Sequence, residues 1–140
     1  MSGALWSADE IAAATDGKAS GGHGGGDWSI VGISIDSRTV LPGELFIALR
    51  GPNHDGHRYL DQALERGAAC LIDHPPKRLP ETAPVIQVRD TMEALIALGL
   101  SARRRSSAKI AAITGSVGKT GSKEALRLVL SAQGLSLIHI

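Results

Sequence analysis

The chain has 140 residues, 43% of them hydrophobic and only 3% aromatic, which is room for one ordinary domain or for a small domain and part of a second. Fifteen basic against fourteen acidic side chains leave a net charge of +1, so a general polyanion-binding surface is not indicated and no nucleic-acid partner is expected. No apolar run approaches the ~20 residues that span a bilayer, and the N-terminus lacks a secretory signal, so no membrane association is expected. With so few aromatics, the core must be built from Ala, Val, Leu and Ile. Cys70 is the lone cysteine. It excludes an internal disulfide, suits a reducing compartment and, within Ala68-Ala69-Cys70-Leu71-Ile72, reads as core filler, with a cytoplasmic location as the default.

Taken in order, Ser7 caps a first helix. Glu10 completes a Ser-x-x-Glu box, Trp6 is placed to staple onto Ile11, and Gly17 is the natural stop. Gly21-Gly22-His23-Gly24-Gly25-Gly26 reads as a loop that buries nothing, with His23 a solvated histidine rather than a ligand. Trp28 to Asp36 alternates as a strand carrying Ile30, Val31, Ile33 and Ile35. Leu41-Pro42-Gly43-Glu44 is a turn and Leu45-Phe46-Ile47-Ala48-Leu49 a second strand, so the two make a hairpin-like pair.

Gly51-Pro52-Asn53-His54-Asp55-Gly56-His57 is a dense polar loop before a helix from about Arg58 to Arg66, which pairs Tyr59 with Ala63 and Leu60 with Leu64. Gly67 ends that helix and residues 68–72 form a third strand. Four prolines between His74 and Pro84 preclude regular structure, and residues 85–88 form a fourth strand. Asp90 caps another helix with Glu93 as its box partner, and Met92, Leu95, Ile96 and Gly99 share one face. Arg103-Arg104-Arg105 suits the end of that helix. The domain boundary is placed near Asp90, dividing residues 1–89 from 90–140, although this helix fits either side.

Ile110-Ala111-Ala112-Ile113 reads as a strand buried on both faces. Thr114-Gly115-Ser116-Val117-Gly118-Lys119-Thr120-Gly121 follows, and then a helix with Leu126, Val129 and Leu130 on one face. Strand, glycine-bearing turn, Lys-Thr and helix is an arrangement for holding a nucleoside triphosphate. The glycines let backbone N–H groups close on phosphate oxygens, and the helix N-terminus adds partial positive charge. Lys119 would reach the β- and γ-phosphates of ATP, and Thr120 would ligate Mg²⁺. The strict spacing wants a Gly where Ile113 stands, so the loop is a shorter version. The bland alternative is a glycine-rich turn with a solvated lysine. Gly134 stops the last helix, and residues 135–140 form an apolar stub. One strand and one helix do not complete an α/β domain, so the chain reads as the N-terminal fragment of a longer enzyme with a stub of doubtful origin.

Asp36-Ser37-Arg38 before Pro42-Gly43-Glu44-Leu45-Phe46, then Gly51-x-x-x-Asp55-Gly56-His57, then Thr114-Gly115-Ser116-x-Gly118-Lys119-Thr120 resemble the Mur ligases in order and spacing. The resemblance covers about residues 5–134. It implies an α/β fold: a small N-terminal α/β substrate domain, then the truncated start of a P-loop α/β ATPase domain. The opening Trp6-Ser7-Ala8-x-Glu10-Ile11, the Asp90-Thr91-x-x-Ala94-Leu95 helix start and the Ser116-Val117-Gly118-Lys119-Thr120-Gly121-Ser122-Lys123-Glu124 wording resemble the family member that joins D-alanyl-D-alanine to UDP-N-acetylmuramoyl-tripeptide.

By that resemblance Ser37, Arg38, Asn53, Asp55, Gly56 and His57 bind the sugar nucleotide. Gly115, Ser116, Val117, Gly118, Lys119, Thr120 and Gly121 bind ATP, Lys119 and Thr120 serve catalysis, and Thr120 holds Mg²⁺. The reaction implied activates the tripeptide carboxylate as an acyl phosphate, which the D-alanyl-D-alanine amine then attacks. The full-length protein would be a cytoplasmic monomer, and these 140 residues alone would be inactive. The blander roles are an ion pair of Arg38 with Asp36 or Glu44, and a helix cap for Asp55. Another ligase step, a small P-loop kinase or NTPase, and a non-catalytic nucleotide-binding module are the competing readings.

Overall fold

The computed structural model describes residues 3–22 and 27–131. His23 with its following glycines, the Gly134 stop and the stub at 135–140 lie outside the described residues. Trp6–Ser7 (β1) leads into α1 (Ala8–Thr15), whose capping box forms in both directions. The Glu10 N–H donates to Ser7 Oγ at 3.2 Å, and the Ser7 N–H donates to Glu10 Oε2 at 2.8 Å. The residue that ends α1 is not Gly17, as expected, but Asp16, left-handed at φ 52°, a conformation Asp tolerates. Gly17 serves close approach instead. A Cβ there would lie 2.9 Å from the Ile86 and Val88 side chains.

That approach sets up β2 (Lys18–Ser20), a strand without an apolar pattern. It pairs antiparallel with β9 (Val85–Gln87). The single strand expected from Trp28 to Asp36 is two: β3 (Ser29–Ile30) pairs with β1, and β4 (Gly32–Ser34) joins the main sheet. Between them Val31 donates its N–H to the Gly43 carbonyl at 2.9 Å, which breaks the ladder. The hairpin-like pair is also corrected, because β4 and β5 (Glu44–Ile47) run parallel. Residues 35–43 are longer than a hairpin turn. They coil through a turn in which Val40 N–H donates to the Asp36 carbonyl, and so return the chain to its starting edge.

The polar loop contains a minute antiparallel ladder of β6 (Arg50–Gly51) and β7 (His54–Asp55), turned by Pro52-Asn53. A 3₁₀ turn (Gly56–Tyr59) passes into α2 (Leu60–Glu65), then β8 (Ala69–Ile72), β9 and α3 (Thr91–Arg105). The main sheet has the order β2-β9-β8-β5-β4, parallel except for β2.

Strand periodicity divides its residues between two cores. Leu45, Ile47, Ala69 and Leu71 face α1 and α3 with Ile11, Ala94 and Leu98. Phe46, Cys70 and Ile72 face α2 with Leu60 and Ala63. Every residue of β8 is buried, as a parallel strand covered on both faces requires. The protein is an α/β fold in this region. Burial pushes the Cys70 thiol up to about 12, which suits inert core filler.

Asp90 caps α3 by accepting the Glu93 N–H at 2.8 Å. The expected packing face is not the one used. Thr91, Ala94 and Leu98 are buried, while Met92 and Ile96 are 47% and 58% exposed. The small side chain of Ala94 lets α3 close on α1, which a face led by Met92 and Ile96 would hold off. The chain divides into compact units Met1–Ser106 and Ser107–Ile140, and α3 falls with the first. Two contacts explain why. Arg105 donates to the Leu5 carbonyl at 3.1 Å, and its guanidinium lies 5.4 Å from the Trp6 ring centre.

In the second unit, residues 110–113 are not a buried strand. Ile110 is 65% exposed, and no described residue supplies a ladder for the segment. A strand's backbone groups are satisfied by a neighbouring strand, so the apolar run stays irregular without one. α4 (Lys119–Ser131) forms as expected, with Leu126, Val129 and Leu130 on it but no buried residue. No helix among the described residues is long and apolar enough to cross a membrane.

Candidate functional site

Ile35 to Arg38 leave the C-terminal end of β4, and the loop after β5 leads into β6, β7 and the 3₁₀ turn. These segments enclose a cavity of about 480 Å³ in the first unit. Its position outside the carboxyl ends of parallel strands is where open α/β sheets take ligands. Ser37, Arg38 and Gly56 line it, as the sequence predicts. Asn53, Asp55 and His57 do not.

The Arg38 guanidinium grips Asp36 through Nε to Oδ1 at 2.9 Å and an Nη to Oδ2 at 2.7 Å, and both side chains are exposed. This side-chain pair, with the Arg38 backbone N–H at 2.9 Å, holds the Asp36 carboxyl down at about 2. The ion pair is therefore made with Asp36 and not with Glu44, whose carboxylate instead accepts the Leu41 N–H at 2.9 Å. Two of the five guanidinium donors are used on Asp36. Ser37 is buried and its Oγ donates to Gln62 Oε1 at 2.8 Å, tying the cavity wall to α2.

Asp55 acts as a cap, accepting the His57 N–H at 3.0 Å, and that bond is the main reason its carboxyl is lowered. Its Oδ1 also accepts from His57 Nδ1 at 2.8 Å. On the far side of the ring, the Asp73 N–H donates to His57 Nε2 at 3.2 Å. An accepting Nε2 makes the neutral ring the Nδ1–H tautomer. The Asp73 carboxylate is also 3.3 Å from Nε2, but it would be a partner only for a protonated ring. His57 is thus a buried bolt between the 3₁₀ turn and the end of β8, and its ring stacks on His74 at 3.9 Å. Ligating atoms of Asp55, His57 and His74 lie within 4.8 Å of one another. The Asp55–His57 hydrogen bond and the stacking of His74 on His57 account for that grouping without a cation.

Gly56 is fixed by packing. Its N–H donates to the Leu49 carbonyl at 2.8 Å, and a Cβ would lie 2.9 Å from Ala48 Cα. Asn53 sits exposed at the tip of the β6–β7 turn. Sequence reasoning missed Ile35, His54 and Tyr59 on the cavity wall. The signal available was that the only tyrosine stands two residues past the polar loop.

The second unit carries the glycine loop. Gly115 and Gly118 are left-handed at φ 145° and 80°, which side-chain-bearing residues resist. Between them Ser116 and the almost fully exposed Val117 form a bend, and Lys119, Thr120 and Gly121 make the first turn of α4. The Ser122 N–H donates to the Gly118 carbonyl at 3.0 Å, which leaves the earlier N–H groups of the turn without intrahelical partners. Free amides, a lysine and a hydroxyl at a helix N-terminus are the donor set that fits a triphosphate with its Mg²⁺.

Residues 29–103 match a family model described as the Mur ligase family, catalytic domain. A UDP-N-acetylmuramoyl-tripeptide–D-alanyl-D-alanine ligase of Rickettsia prowazekii is 43% identical over 70% of this chain and 22% of its own length. A UDP-N-acetylmuramoyl-L-alanyl-D-glutamate–2,6-diaminopimelate ligase of Chlorobium phaeobacteroides is 40% identical over 77% of this chain and 22% of its own. Among solved structures, a UDP-N-acetylmuramoylalanyl-D-glutamyl-2,6-diaminopimelate–D-alanyl-D-alanyl ligase of Acinetobacter baumannii superposes with a TM-score of 0.78. It is 32% identical, over 91% of this chain and 28% of that one. A MurF ligase of Thermotoga maritima in complex with ADP superposes at 0.60, with 29% identity over 71% of this chain and 23% of its own. This chain therefore spans about a quarter of the length of these relatives. The family model covers more than half of it, the four parallel strands of the sheet that carries the cavity lie within that match, and the chain belongs to the Mur ligase family.

Proposed function

We propose that this chain is the sugar-nucleotide-binding part, with the start of the ATP-binding part, of a ligase that joins D-alanyl-D-alanine to UDP-N-acetylmuramoyl-tripeptide at the expense of ATP in the cytoplasm. The observation that carries the reading is the cavity at the strand ends, lined by Ser37, Arg38 and Gly56, in a chain whose relatives are named for that reaction. Arg38 lies at the cavity with guanidinium donors in excess of those Asp36 takes, and an Arg fork suits diphosphate oxygens.

In the second unit the amides of the Gly115–Thr120 loop would receive phosphate oxygens, with Lys119 neutralising the migrating phosphoryl group and the Thr120 hydroxyl as this chain's donor to Mg²⁺. When bound, the metal neutralises triphosphate charge. A relative solved in complex with ADP supports nucleotide binding.

The test is isothermal titration of UDP-N-acetylmuramoyl-tripeptide into the wild-type chain and Arg38→Ala. We expect roughly tenfold weaker binding by the variant, the loss of one charge-assisted contact, and equal binding would remove Arg38 from the site. The Chlorobium relative named for diaminopimelate addition supports a second reading, an earlier ligase step. Under it UDP-N-acetylmuramoyl-dipeptide, not the tripeptide, would be preferred.

A further inference from the structure

A helix laid on a sheet ordinarily has one apolar face, turned inward, and a polar face toward water. α3 has two apolar faces. Its inner side carries the buried Thr91, Ala94 and Leu98, and the last two share a core with Ile11 and Leu71. Met92, Ile96 and Leu100 recur every fourth residue on the opposite side, 47%, 58% and 55% exposed. They form a ridge about 12 Å long. A Cβ on Gly99, within the ridge, would meet nothing within 4 Å. α4 also exposes apolar side chains, but no strand is described in its unit. The unit of α3 has its sheet, and the inner side of α3 already covers it, so the outer ridge serves no packing there.

The ridge runs into the basic last turn of α3. Arg103 is three turns on from Met92 and falls on the same side. Arg105 is committed to the Leu5 carbonyl and the Trp6 ring. Arg103 gives one N–H to the Ser106 carbonyl at 3.1 Å, and Arg104 is exposed. Glu93 is the single acid of α3, and it borders a shallow cavity with Ala97 and Asp16 on the side toward α1. The ridge is therefore apolar along its length and cationic at one end. It is convex and offers no cleft. Its chemistry matches a flat surface that is anionic outside and apolar beneath, as a phospholipid bilayer is. A second copy is a poorer match, because so short a ridge buries far less than the about 1,200 Å² of a stable interface.

We propose that α3 docks the first unit on an anionic phospholipid surface. Met92, Ile96 and Leu100 enter the boundary between headgroups and acyl chains, and Arg103 and Arg104 pair with lipid phosphates. The sequence expectation of no membrane association rests on the lack of a spanning run and of a secretory signal. A helix that lies on the surface needs neither.

The test is co-sedimentation of the chain with vesicles of phosphatidylcholine mixed with phosphatidylglycerol, and with vesicles of phosphatidylcholine alone. The variants are Ile96→Ser with Leu100→Ser, and Arg103→Gln with Arg104→Gln. Lys77→Gln with Arg78→Gln alters an exposed basic pair elsewhere as a control. Circular dichroism and thermal unfolding check each fold. The wild type should bind anionic vesicles, and neutral ones about tenfold more weakly. Each α3 pair should weaken anionic binding by about tenfold, and only the arginine pair should flatten its dependence on salt. The Lys77–Arg78 control should match the wild type. No binding by the wild type would overturn the proposal. So would binding that survives Ile96→Ser with Leu100→Ser, which would run through another surface such as α4. A wild-type dimer that the same pair dissociates would assign the ridge to a second copy instead. The full-length ligase should bind the same vesicles, and loss of binding there would mean that the rest of the polypeptide covers α3.

Discussion

Asp36 and Arg38 show at the scale of single residues how a surface motif becomes a defined electrostatic object. The carboxylate accepts the guanidinium at two points and a backbone N–H at a third, so its ionised form is favoured and its pKa drops from 3.8 to about 2. A depressed acid contributes stability that is present above its unfolded value and is lost as pH falls through the folded one. Both partners are exposed, so the contribution to folding is small, and the titration itself is the sensitive measurement. A carboxyl NMR titration should place Asp36 near 2 in the wild type and higher in Arg38→Ala, yet still below the ordinary 3.8 because the residue-38 backbone N–H remains. The same midpoint in both would refute the pairing in solution. Local hydrogen bonds of this kind were legible in the sequence. The Ser7–Glu10 box and the Asp55 and Asp90 caps depend only on residues two or three apart. The burial of His57 was not legible, because its partner Asp73 lies sixteen residues away.

Whole elements were legible where hydrophobic pattern and caps agreed, and illegible where partner choice decided. β5, β8 and β9 carry apolar runs and appear close to their expected positions. β2 is Lys-Ala-Ser and exists because β9 offers it an edge. Turn residues at Pro42-Gly43 suggested a hairpin, but sequence cannot show that residues 35–43 return the chain for a parallel pairing. The helix α3 illustrates the same limit. Its larger apolar side chains suggested one face, while close packing against α1 selected Ala94 and Leu98.

That choice makes a stability prediction. Leu98→Ala should destabilise the first unit by about 2–5 kcal/mol through lost burial and a residual cavity. Ile96→Ser, at a site 58% exposed, should change stability by no more than about 0.5 kcal/mol. Urea unfolding followed by circular dichroism measures both. The reverse ranking would mean that α3 packs on its Met92–Ile96 face.

For the molecule as a whole, the cavity and the glycine loop fall in separate compact units, each read from a different kind of evidence. The glycine loop was legible as a motif, and its left-handed Gly115 and Gly118 bear out the need for glycine there. The strand meant to precede it does not form, because a parallel strand is made by neighbours that no described residue provides. The cavity was half legible. Ser37, Arg38 and Gly56 were found by motif. Ile35, His54 and Tyr59 converge only through the crossover that brings residues 35–38 beside the 54–59 segment.

The most direct test of the account is an amide NMR titration of the isotopically labelled chain with UDP-N-acetylmuramoyl-tripeptide and, separately, with MgATP. The sugar nucleotide should shift residues 35–38 and 54–59, and MgATP should shift residues 114–122, each leaving the other set in place. Sugar-nucleotide shifts centred on residues 114–122, with residues 35–59 unmoved, would contradict it.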